Sequence, residues 1–178
     1  MPIYHLLKIC LVSLCFVCAQ AMAGISLDST RIIFTAKDVA QGQSIGITSS
    51  SQTLYPYLVK AQVLANVDGS EAKTPFSVTP SLFRLEPGST NQIRILKTDN
   101  QPLANDKESV FYLRVMALPA KDGDDMTQNK AIDGTLTVST GSIIKLFYRP
   151  TDLSMTQQQS MASLQFTQSG NGLQITNP

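Results

Sequence analysis

SVFYLRVMAL, residues 109–118, repeats with a period of two: Phe111, Leu113, Val115 and Ala117 fall on one face, Tyr112 and Arg114 on the other. Successive side chains of a strand point to opposite sides. The stretch therefore predicts a β-strand with one face in an apolar core and the other toward water. The sequence on either side supplies partners of the same kind. ISLDSTRIIF (25–34), SIGITSS (44–50), YPYLVKAQVLA (55–65) and NQIRILKT (91–98) are rich in β-branched and aromatic residues. PFSVTP (75–80) and LFRLEPG (82–88) are shorter, and Pro80 and Pro87 mark edges or corners. NVDGSE reads as a turn, and PAKDGDDMTQNKAIDG (119–134) as a polar loop. TLTVSTGSIIKLFYRP (135–150) closes the unit. About seven strands in about 125 residues predict an all-β fold, an immunoglobulin-like seven-stranded β-sandwich.

The two ends differ from this unit. Residues 1–23, MPIYHLLKICLVSLCFVCAQAMA, have a basic residue at Lys8, an apolar run from Ile9 to Ala19 and a small-x-small ending at Ala21-Met22-Ala23. That pattern predicts an export signal cleaved after Ala23, with the mature chain starting at Gly24. TDLSMTQQQSMA (151–162) is polar and reads as a linker or loop. SLQFTQSGNGLQITNP (163–178) reads as a hairpin of two alternating strands around Ser169-Gly170-Asn171-Gly172. A lone hairpin does not bury its own apolar face, so residues 151–178 read as a linker and the truncated start of a second β-domain.

Composition narrows the chemistry. The three cysteines (Cys10, Cys15, Cys18) and the sole histidine, His5, all lie in residues 1–23. A mature chain without them has no imidazole base, no thiolate nucleophile and neither usual zinc ligand. Removing Lys8 from the fourteen basic residues leaves thirteen, against thirteen acids. That balance argues against a nucleic-acid partner, which calls for a basic excess. No metal, cofactor, small-molecule substrate or enzymatic activity is expected. GQSIG (42–46) matches the G-x-S-x-G pattern, but that motif needs a strand-turn-helix setting and a histidine, so it reads as a turn entering a strand.

Two cations sit among apolar residues. Arg31 precedes Ile32-Ile33-Phe34, and Lys145 lies between Ile143-Ile144 and Leu146-Phe147. Each alone reads as a solvated strand residue whose stem covers apolar surface. Together they also suit a pair that holds a carboxylate, the arginine through a planar fork and the lysine as a point charge. Spacing does not decide between these readings.

GISLDSTRIIF, PYLVKAQV, PFSVTPSLFRLEPGSTNQIRI, NDKESVFYLRVMALP and IIKLFYRP occur in this order, and together they resemble the PapD-like periplasmic chaperones of the chaperone–usher pathway. The likeness covers nearly all of residues 24–150. The resemblance implies two immunoglobulin-like domains and a chaperone that stabilises fimbrial subunits, each an incomplete sandwich, and delivers them to an outer-membrane usher. It implies that Arg31 and Lys145 anchor the C-terminal carboxylate of the subunit. It also implies that the chaperone's seventh strand fills the subunit's open groove. Here that strand would present Leu136, Val138, Thr140, Ser142 and Ile144 on one face, with Lys145 on the other. Thr140 and Ser142 depart from the expected apolar pattern. Glu108 and Arg149 would meet an acidic residue of the second domain, which lies past Pro178 in the family, so the chain reads as truncated. A structural pilin-like subunit and an inactive fragment are the competing readings, with a carboxylate hydrolase behind them.

Overall fold

The computed structural model describes residues 24–69, 73–98, 102–120 and 138–177. The expected export signal, most of the loop 119–134 and the expected donor residue Leu136 lie outside the described residues.

Two sheets pack face to face. One has four strands in the order β1 (Ile25–Leu27), β3 (Gln43–Ser49), β7 (Thr90–Lys97), β5 (Phe76–Thr79). The other has five, in the order β2 (Arg31–Thr35), β9 (Thr140–Arg149), β8 (Ser109–Pro119), β4 (Tyr57–Leu64), β6 (Leu82–Leu85). Among the described residues of the sandwich every pairing is antiparallel except β2 with β9. The period-two faces form the core between the sheets. Leu113, Val115 and Ala117 of β8 are fully buried and Phe111 packs at the margin. Across from them lie Ile45, Ile47, Ile93 and Ile95 of the other sheet, none more than 1% exposed. Each such side chain contributes about 1.5–3 kcal/mol on burial. Phe34 and Phe111 each meet the Phe76 ring edge to face, with centroids 5.1 Å apart. With no cysteine past residue 18, this packing is what holds the described sandwich together.

The expectation of a single first strand over 25–34 needs correcting. The chain leaves one sheet after Leu27 and joins the other at Arg31. Asp28 fixes the departure: its backbone N–H donates to the Gly46 carbonyl at 3.1 Å, and its carboxylate accepts from the Gly46 N–H at 2.7 Å. A similar crossing joins β5 to β6 through the cis Thr79–Pro80 bond. Counting β1 with β2 and β5 with β6 recovers seven strands from the nine segments of the sandwich described here. Pro87 and Gly88 turn the chain after β6. Gly88 has φ +72°, and Ser89 donates to the Glu86 carbonyl at 3.1 Å. Ser44 of the G-x-S-x-G match lies within β3, opposite Arg94, far from a strand-turn-helix setting.

The stretch 151–162 is not all loop. It contains a six-residue helix, Gln157–Ala162. Thr156 caps it: the Gln159 N–H donates to Thr156 Oγ1 at 3.2 Å, and the Thr156 N–H donates to Gln159 Oε1 at 2.8 Å. This reciprocal pair is a capping box, legible as Thr156-x-x-Gln159. The hairpin follows as β10 (Gln165–Ser169) and β11 (Gly172–Thr176), with Gly170 at φ +58° in a two-residue turn. Its Phe166, Leu173 and Ile175 share one face and are all more than half exposed.

Candidate functional site

The site grows out of the parallel β2–β9 pairing. Its register sets Arg31 beside Lys145, Ile33 beside Phe147 and Thr35 beside Arg149. Both Arg31 and Lys145 point to the outer face of the five-stranded sheet and are exposed. Among the described residues neither makes a hydrogen bond or an ion pair. On the other side of Lys145, β8 places Tyr112 in register, also facing outward. Adjacent strands lie about 4.8 Å apart, so two like charges stand side by side on neighbouring strands and repel. An anion placed between them is attracted by both.

The pairing also ends there. β2 covers β9 only from Lys145 to Arg149, while β8 pairs with β9 from Thr140 to Tyr148. Residues Thr140–Ile144 therefore have one free hydrogen-bonding edge among the described residues. Arg31 opens β2, so the cation pair marks the point where the free edge begins. Along this edge Ser142 and Ile144 are half-buried and face the core side, in line with fully buried Leu146. Ile143 and Lys145 face outward. Val138, at 61% exposure, precedes the strand, which starts at Thr140.

Glu108 and Arg149 are brought together at the opposite end of β9. The guanidinium donates to Glu108 Oε1 at 2.6 Å, and its second terminal nitrogen donates to the Met155 carbonyl at 2.5 Å. Arg149 thus ties β9 both to the start of β8 and to the segment leading into the capped helix. The Met155 contact uses a backbone carbonyl, so no side chain in the sequence announces it. The free edge of β9 was equally silent in the sequence, because its length depends on where a distant strand begins.

Comparison with known proteins agrees with this architecture. Residues 24–154 match the pili and flagellar-assembly chaperone family, PapD N-terminal domain. The chaperone protein FimC of Escherichia coli K12 is 35% identical over 162 residues, covering 91% of this chain and 63% of FimC. The chain therefore spans less than two thirds of the length of that relative. Among solved structures, a chain of the Salmonella enterica SafA pilin–SafB chaperone complex superposes with a TM-score of 0.70 at 29% identity, covering 90% of this chain and 70% of that one. The periplasmic chaperone SfaE gives 0.63 at 29% identity, covering 81% and 67%. A sandwich with both its first and fourth strands crossing between sheets, and a sequence match running through both crossings, have one explanation: the chain belongs to the pili and flagellar-assembly chaperone family.

Proposed function

We propose that this chain is a periplasmic chaperone that binds fimbrial subunits, shields their open cores by donor-strand complementation and passes them to an outer-membrane usher. The observation that carries the reading is the edge Thr140–Ile144, free among the described residues, starting beside two cations that have no counter-ion among those residues. An incomplete sandwich lacks one strand and exposes both a groove and unpaired backbone groups. A strand with a free edge satisfies those groups by pairing, and its alternate side chains enter the groove. Val138, Thr140, Ser142 and Ile144, with Leu136 ahead of them, are the proposed donor residues.

The cations set the register. A strand shifted by one residue turns its other face into the groove, so pairing alone leaves an ambiguity. Arg31 and Lys145 remove it by binding the subunit's C-terminal carboxylate through charge-assisted hydrogen bonds. Binding in this way needs no catalytic step, no cofactor and no small-molecule substrate. Residues 1–23 serve as the export signal. Residues 24–150 form the first domain and 151–178 belong to a second β-unit, since the apolar face of the β10–β11 hairpin requires cover. Glu108 and Arg149 brace the junction between the two.

The test is periplasmic co-expression of the chain with a pilin lacking its polymerising extension, followed by pull-down. Wild-type chain is expected to retain the pilin, and Arg31→Ala and Lys145→Ala to lose it. Retention by both variants refutes the carboxylate anchor.

A further inference from the structure

The inward face of this segment changes character along its length. Val138, just ahead of β9, and Ile144 are apolar, but on the same face between them stand Thr140 and Ser142. Thr140 and Ser142 share the face toward the core side, where their β8 register partners, Ala117 and Val115, are fully buried and apolar. Among the described residues neither hydroxyl has a hydrogen-bond partner, and both are open to water. Gly141, facing outward between them, is held close to β8: a Cβ there would lie 2.9 Å from the Val115 carbonyl oxygen. The backbone is thus pressed against its own sheet at the point where the side chains are shortest.

A guest strand seated on this edge covers the two hydroxyls. The chaperone's side of the contact, Ala117 and Val115, offers them no polar atom. A hydroxyl buried without a partner is strongly disfavoured, so the guest has to supply one. We propose that the subunit carried by this chain has a polar middle to its groove, with hydrogen-bonding groups facing Thr140 and Ser142, flanked by apolar pockets for Val138 and Ile144. Thr140 and Ser142 are then specificity residues: they select this class of subunit and discriminate against those with a fully apolar groove. This inference rests on the donor-strand reading of β9 and adds the chemistry of the guest.

Affinity measurements on the full chain separate the two ideas. The probes are a panel of purified pilins without their polymerising extensions, SafA among them, and the tightest binder is carried forward. Thr140→Val and Ser142→Ala remove the hydroxyls with little change of shape. The double variant is expected to bind the chosen pilin about ten- to a hundred-fold more weakly, and to narrow or reverse the preference over pilins with apolar grooves. Thr140 is exposed, Ser142 is half-buried, and neither hydroxyl bonds to another described residue, so its melting temperature should match that of the wild type. Unchanged or tighter binding by the double variant, with Ile144→Ala and Lys145→Ala still weakened, overturns the polar groove and leaves the donor strand standing. If Ile144→Ala and Lys145→Ala bind as wild type, or if no pilin binds at all, the donor-strand reading falls and this inference with it.

Discussion

Arg31 and Lys145 are register partners on two parallel strands, and neither has a counter-ion among the described residues. In the proposed function they hold a partner's carboxylate and do little for the fold of the chain itself. Replacing either by alanine should leave the isolated chain as stable as before, within about 0.5 kcal/mol, because exposed charges contribute little to folding. Binding of an incomplete pilin should weaken, each cation supplying about 1.5–3 kcal/mol through charged hydrogen bonds. Thermal melts and titration calorimetry on the same variants read the two effects separately.

The charge of the guest's tail should matter as much as the charges of the host. A peptide copied from a pilin C-terminus, with a free carboxylate, is expected to bind more tightly than its amide by at least ten-fold. The advantage should shrink as salt rises from 0.01 to 0.5 M, since both cations are solvent-exposed and the screening length falls from about 30 Å to below 8 Å. Fluorescence anisotropy with the acid and amide peptides measures both trends. Equal binding of the two would remove the carboxylate from the mechanism.

Gly141 should not tolerate a side chain. A Cβ there meets the Val115 carbonyl oxygen at 2.9 Å, and a backbone atom has little freedom to yield. Gly141→Ala is expected to push β9 away from β8 near the free edge, lowering stability by about 1 kcal/mol. Hydrogen exchange should localise the loss to amides of residues 140–144 and their partners on β8.

Arg149 links β9 to Glu108 and to the Met155 carbonyl. Its side chain is only partly buried, so Arg149→Ala should lower the stability of the sandwich by no more than about 1 kcal/mol. The segment it ties down should respond more. Limited proteolysis is expected to cut faster between residues 151 and 156 in the variant, while the strands stay intact. An unchanged cleavage pattern would show that the Met155 contact does not restrain this segment.

Leu146 tests the core. It is fully buried on the same strand that carries Lys145. Leu146→Ala should cost about 2–5 kcal/mol, enough to unfold much of a marginal domain. Denaturant titration distinguishes this global effect from the binding-only effect expected at Lys145, one residue away and on the opposite face.

The inward face of residues 109–118 was legible in the residues themselves. Phe111, Leu113, Val115 and Ala117 go inward because side-chain alternation is a property of the local backbone and needs no knowledge of the partner strand. The hairpin at 163–178 was readable for the same reason, through its glycine turn between alternating runs. The helix Gln157–Ala162 was legible in principle from Thr156-x-x-Gln159, and its polar surroundings concealed it. The split of ISLDSTRIIF into β1 and β2 was not. Both halves have strand-like composition, and only the double hydrogen bond between Asp28 and Gly46 shows where the chain departs.

By itself, then, the sequence determined that this protein is a β-sandwich, which side chains of residues 109–118 face its core, and that two cations stand among apolar strand residues. Tertiary structure alone decided that those two cations are neighbours, and that among the described residues β9 is left with a free edge from residue 140 to 144. Alternation is written into every pair of adjacent residues. The pairing of β2 with β9 depends instead on hydrogen bonds between segments at opposite ends of the domain, whose register is fixed only when the whole sandwich closes around its core.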